Sequence, residues 1–156
     1  MEIIGYFDSD NKAHWLSEIA KSDWRAGAYL HKMLSEGSFF EVLGEGSELF
    51  LLADGDKLIS FCTYSKRDEI PSEDMSPWIG FVYTFPPYRG HRFIGRLFER
   101  VETSARADNI PAVYLSTDHI GLYERYGFEF LTEMESIYGD MSRVYVKHIA
   151  PQEKER

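Results

Sequence analysis

The stretch FVYTFPPYRGHRFIGRLFER, Phe81 to Arg100, decides the fold. Ile79, Phe81, Val82, Tyr83 and Phe85 make an apolar, β-prone run that stops at Pro86-Pro87. Tyr88-Arg89-Gly90 is a tight turn. After it, Phe93, Ile94, Leu97, Phe98 and Val101 recur at helical spacing and give a helix one apolar stripe. A strand, a glycine turn and a helix N-terminus in succession form a natural anion site. Unpaired N–H groups of the first helical turn converge there, and the helix dipole adds partial positive charge. Arg89, Arg92, Arg96, Arg100 and His91 fall on this element, in a chain whose formal net charge is -9. The reading is a site for a phosphorylated ligand. An ordinary strand-turn-helix with solvated arginines fits the same residues. No Gly-Lys-Ser/Thr follows the turn, and the glycine spacing is not that of a dinucleotide fingerprint.

Working outward, the chain of 156 residues is long enough for one sizeable core. The expectation is a single domain over 1–149 and a polar tail over 150–156. The apolar runs are too short to span a bilayer, and MEIIGYFDSD is not a secretory leader, so a cytoplasmic location is expected. Cys62 is the single cysteine and reads as a buried small hydrophobe within LISFCTY. The acidic balance argues against nucleic-acid binding and suits a cationic partner. No spacing of metal ligands is present, and no metal is expected.

Before the deciding stretch, Glu2–Phe7 reads as a strand, Lys12–Lys21 as a helix, and about Trp24 to Ser35 as a second helix ending near Gly37. Ser38–Gly46 reads as ambiguous, a candidate loop over a cleft. Glu48–Ala53, the turn Asp54-Gly55-Asp56 and Leu58–Tyr64 form a hairpin. Lys66–Pro77 is charged and reads as an exposed connection. After the deciding stretch come a strand Ala112–Ser116, a short helix His119–Tyr126 stopped by Gly127, and strands Phe128–Tyr138 and Arg143–Ile149. The order is that of a mixed α/β sheet with helices on its faces.

The second informative stretch is Leu122-Tyr123-Glu124-Arg125-Tyr126-Gly127-Phe128. Gly127 reads as a helix stop and Phe128 as the first core residue of a strand. Tyr123 is either a core residue or a hydroxyl that reaches a cleft as a proton donor.

Together, Pro-x-Tyr-Arg-Gly, the amphipathic helix, the next strand and Leu-Tyr-Glu-x-x-Gly-Phe resemble the GCN5-related N-acetyltransferase (GNAT) superfamily over Trp78–Leu131. The resemblance implies an α/β (α+β) fold: a mixed, mostly antiparallel sheet flanked by helices, with a splayed central strand pair. It implies acetyl-CoA as cosubstrate. The pantetheine arm would lie along Val82, Tyr83 and Thr84. The diphosphate would lie on the turn and helix start, Arg89, Gly90, His91, Arg92, Phe93, Ile94 and Gly95. Tyr123 matches the family tyrosine that protonates the departing thiolate. One departure stands out. The family turn usually runs Arg/Gln-x-x-Gly-x-Gly/Ala, whereas here Arg92 and Ile94 occupy the small-residue places and Gly95 comes one place late.

The implied reaction is direct attack of a primary amine, on a small molecule or a peptide, on the thioester. The oxyanion donor would lie within Tyr83-Thr84-Phe85. Glu41, Asp68 and Glu69 border the expected acceptor cleft as candidate bases. Trp24, Phe39, Phe40 and Trp78 are candidate walls. A non-catalytic acyl-CoA-binding or sensor module on the same fold is the second reading. The aromatic C-terminal strands are candidates for pairing in a homodimer.

Overall fold

The computed structural model describes residues 1–152; the rest of the expected tail, 153–156, lies outside the described residues. The elements run β1 (Glu2–Gly5), α1 (Lys12–Ile19), α2 (Arg25–Glu36), α3 (Phe39–Leu43), β2 (Glu48–Asp54), β3 (Lys57–Ser65), β4 (Trp78–Thr84), α4 (Ile94–Ala107), β5 (Ala112–Thr117), β6 (Glu129–Glu135) and β7 (Met141–His148). One seven-stranded sheet has the order β1-β2-β3-β4-β5-β7-β6. Every neighbouring pair is antiparallel except β4 and β5.

Each face of the sheet carries its own core. Phe50, Leu52, Ile59 and Cys62 pack with Leu97, Phe98 and Val101 of α4 on one face. Leu49, Leu51, Leu58 and Phe61 pack with Trp15, Ile19, Leu30 and Met33 of α1 and α2 on the other. The alternation along β2 follows from the period of two in a strand. The β2–β3 hairpin turns at Gly55, with φ +62. Helix α2 closes on Gly37 in the left-handed region, φ 73, whose N–H bonds to the Met33 carbonyl.

Three local expectations are corrected. Ser38–Gly46 is not a loop: Phe39 and Leu43, one helical turn apart, are both buried in the α1–α2 core, and they hold the short helix α3. The helix expected over His119–Tyr126 is only a 3-10 turn over Tyr123–Tyr126, because Gly121 takes φ +88 and interrupts it. The strand expected to reach Tyr138 ends at Glu135.

The connection Lys66–Pro77 is not a free surface loop. Ile70 is 2% exposed and packs with Trp78 and Val144. Arg67 donates from Nε to the Val42 carbonyl (3.3 Å) and from Nη2 to the Glu41 carbonyl (3.0 Å), satisfying the C-terminal end of α3. These two anchors fold the connection down beside β4.

Candidate active site

The site begins where β4 and β5 part. Their parallel pairing is limited to Trp78↔Tyr114 and Ile79↔Leu115. Beyond Ile79 the two strands diverge. On its other side β4 stays paired to β3, but with a bulge. Phe61 faces Tyr83 and Thr63 faces Gly80, so Phe81 and Val82 together oppose Cys62. Phe81 takes φ +48, a region costly for a bulky side chain. Its ring stacks on Tyr29 at 6.3 Å between centroids and 13° between planes, which holds the distortion in place.

The divergence opens a cleft of about 1250 Å³. Its lining joins both faces of the sheet: Val82 and Tyr123 from the α4 side, Trp24 and Phe81 from the α2 side. Tyr123 is 7% exposed, with Phe98 and Phe128 packed against its ring at 6.1 and 6.3 Å. Burial, and then the neighbouring Cys62 and Tyr126, push its phenol up to about 12. It therefore keeps its proton across the neutral range and presents a donor to the cleft.

Asp68 also lines the cleft, delivered by the anchored connection. A Cβ on Gly80 would come within 2.3 Å of its Oδ1, so only glycine at 80 lets the carboxylate rest against β4. Burial, with the charge of Glu69 adding to it, pushes Asp68 up to about 7, although a backbone N–H at Glu69 works in the opposite direction. Part of the residue stays open to the cleft. A carboxylate titrating near neutrality, held at a cleft floor, is suited to accept a proton. Glu69 is fixed by a hydrogen bond from Ser116 Oγ to its Oε1 at 2.8 Å.

The turn and helix start form the second half of the site. The N–H groups of Gly90, His91, Arg92, Phe93 and Ile94 make no hydrogen bond to the described residues. Five such donors in a row, the last on the first residue of the 14-residue helix α4, make a cradle of the kind a phosphate group takes. Gly95 and Arg96 do not belong to that cradle: their N–H groups bond to the Arg92 and Phe93 carbonyls at 3.1 Å. Gly95 has a packing reason instead, since a Cβ there would meet the Tyr126 ring at 3.2 Å. Arg89 braces the turn, its Nε donating to the Thr84 carbonyl at 2.9 Å. Beside α4, Arg92 and Arg96 border a second cavity of about 350 Å³, together with Tyr126 and the Lys147–Glu102 ion pair.

Arg92 adopts φ +58, so the backbone keeps a glycine's conformation without the glycine. This side chain costs about 1 kcal/mol in that region. Arg92→Gly is expected to raise the unfolding free energy by about 0.5 kcal/mol once glycine's own entropy is counted, measured by urea denaturation.

Of the candidate walls, Trp24 lines the cleft, stacked on Tyr83 at 5.3 Å. Phe39 and Trp78 are core residues, at 2% and 0% exposed, and Phe40 packs against the α1–α2 core. Trp78 instead ties the connection down, donating from Nε1 to the Met75 carbonyl at 2.7 Å. Of the candidate bases, Asp68 and Glu69 line the cleft and Glu41 does not. The N–H of Phe85 is bonded to the Ile59 carbonyl at 3.0 Å, which removes it as an oxyanion donor; alternation along the strand turns Thr84 to the open edge. Tyr29 and Tyr138 also line the cleft and were not singled out from sequence; their spacing in the chain carries no signal for it.

Among the described residues no group of His, Cys, Asp or Glu is arranged to hold a metal, and no helix is long and apolar enough to cross a membrane. No curated protein matches the chain by sequence. Solved structures share the fold. An aminoglycoside 6'-N-acetyltransferase complexed with coenzyme A aligns with a TM-score of 0.66 at 13% identity, over 99% of this chain and 100% of its own. The aminoglycoside 6'-N-acetyltransferase from Enterococcus faecium aligns with a TM-score of 0.68 at 12% identity, over 99% and 100%. An acetyltransferase from Streptococcus agalactiae aligns with a TM-score of 0.65 at 23% identity, over 94% and 97%. Residues 13–128 match the family described as "Acetyltransferase (GNAT) family". The mixed seven-stranded sheet, its parted central strands and this match together establish that the chain belongs to the GNAT acetyltransferase family.

Proposed function

We propose that residues 1–149 act as one acetyl-CoA-dependent N-acetyltransferase domain for a small-molecule or peptide amine, the aminoglycoside-acetylating relatives favouring a small molecule. One observation carries the reading. The row of open N–H groups at Gly90–Ile94 and the gap between β4 and β5 belong to one continuous strand-turn-helix, and the cleft at that gap is lined by both a phenol, Tyr123, and a carboxylate, Asp68. Acetyl-CoA supplies a thioester whose carbonyl carbon accepts the amine and whose thiolate leaves.

The chain's own groups divide the work. The Gly90–Ile94 amides hold the diphosphate, with Arg92 and Arg96 adding positive charge beside it. The backbone of Val82, Tyr83 and Thr84, along the open edge of β4, positions the pantetheine arm, and the Thr84 N–H stabilises the developing oxyanion. Asp68 removes the proton that the attacking nitrogen must lose as the N–C bond forms. Tyr123 gives its phenolic proton to sulfur as the C–S bond breaks, and solvent returns a proton to the phenolate. The products are an N-acetyl amine and the free thiol of CoA.

Two measurements test this. Acetyl-CoA is expected to raise the melting temperature. Mixing with acetyl-CoA and a panel of amines is expected to release free thiol only when amine is present. A melting shift with no thiol from any amine supports the sensor reading instead, and no shift at all rejects both.

A further inference from the structure

The cleft carries more negative charge than acetyl transfer itself uses. Asp68, Glu69, Glu73, Asp118 and Asp140 put five carboxylates in its lining, against the guanidiniums of Arg25 and Arg67. Arg67 already donates to the Glu41 and Val42 carbonyls. None of the five carboxylates takes part in an ion pair among the described residues. Glu69 is held from two sides: Ser116 Oγ donates to its Oε1, and the Ile137 N–H donates to its carbonyl, each at 2.8 Å.

Aromatic rings stand beside these charges. Tyr29, 40% exposed and stacked on Phe81, and Tyr138, 66% exposed, both line the cleft. Burial raises the Tyr138 phenol, and Tyr29, Glu69 and Asp68 each raise it further, so these four groups are electrostatic neighbours. Beneath them, Thr63 Oγ1 is fully buried and has no hydrogen-bond partner among the described residues. It lies 3.0 Å from the point where a Gly80 Cβ would stand, next to Asp68 Oδ1 at 2.3 Å from the same point. This hydroxyl stands behind the cleft wall beside Asp68, so the carboxylate has a second polar group next to it.

Carboxylates flanked by aromatic faces are the surroundings an ammonium group takes, through charge-assisted hydrogen bonds and attraction to the ring faces. A free carboxylate on the acceptor is repelled by the same lining. Resting on the acetyl-transfer reading, we infer that the acceptor is a di- or polyamine: Glu69 holds a second ammonium group in the pocket walled by Tyr29 and Tyr138, while Asp68 deprotonates the amine that reacts.

The test compares kcat/KM for a series of α,ω-diamines and spermidine with that for butylamine and for an amino acid. The best diamine is expected to exceed butylamine by about tenfold or more, which corresponds to one well-made charge contact. That preference is expected to shrink as salt is raised. Glu69→Gln, which keeps the side chain's shape and an acceptor for Ser116, is expected to cut the diamine-to-butylamine ratio by about fivefold or more. A ratio near one in the unmodified protein, or a ratio that Glu69→Gln does not move, overturns the inference while leaving N-acetylation intact. If acetyl-CoA binds but no amine is acetylated, it is the acetyl-transfer reading that has failed. Calorimetric binding of diaminobutane and butylamine then decides the inference: diamine preference upholds the second-ammonium site, and equal binding overturns it.

Discussion

Asp68→Asn is expected to lower kcat for amine acetylation by about 10² to 10³, the usual contribution of a positioned base. The same change is expected to stabilise the protein at neutral and higher pH. The Asp68 carboxyl moves from its ordinary 3.8 up to about 7 in the folded protein. Between those two values the folded chain binds more protons than the unfolded chain, so stability falls as pH rises. Above about 7 the full cost of holding the buried carboxylate ionised is present; below the unfolded value it has vanished. Asparagine has nothing to ionise, and removing that cost should add about 1–3 kcal/mol, a range reduced to allow for the side of Asp68 that faces the open cleft. Chemical denaturation of both proteins at several pH values checks this: the gap should open as pH climbs from the ordinary 3.8 to about 7 and stay constant above that. A variant that is inactive and also less stable at high pH would show that Asp68 is an ordinary structural carboxylate.

Tyr123→Phe is expected to lower kcat by about 10² while leaving the dissociation constant for acetyl-CoA nearly unchanged. The ring's packing on Phe98 and Phe128 is kept, so the change removes only the hydroxyl. With the phenol pushed up to about 12, ionisation of Tyr123 should not appear in the pH–rate profile near neutrality. Turnover that survives the substitution would return Tyr123 to the core, the other role its sequence position allows.

The strand-turn-helix around Pro86-Pro87 was legible because its apolar periodicity switches abruptly from strand-like to helical. The β2–β3 hairpin was legible because Asp54-Gly55-Asp56 names its turn. The cleft's parting strands came from the family resemblance rather than from any pattern in the residues. Asp68 was visible only as one of several loop charges. Its setting depends on Ile70, one apolar residue in a charged run, reaching Trp78 and Val144. It depends also on Gly80 leaving room beside β4, which is a relation between two elements far apart in the chain. Arg67 looked like surface charge because its partners are backbone carbonyls, which no sequence displays. Gly95 read as a cofactor glycine because close approach to a ligand and close approach to the Tyr126 ring demand the same residue. Arg92 stands at a small-residue place of the family turn, and the fold accepts it there with a positive φ.

The central claim is direct transfer of an acetyl group from thioester to amine across the gap between β4 and β5. It is tested most directly by following acetyl-CoA labelled in the acetyl group through a single turnover with diaminobutane. The account predicts label in an amide of the acceptor, an equal amount of free CoA thiol, and none on the protein at any time. Label trapped on the protein, or recovered as free acetate with the amine unchanged, would contradict it.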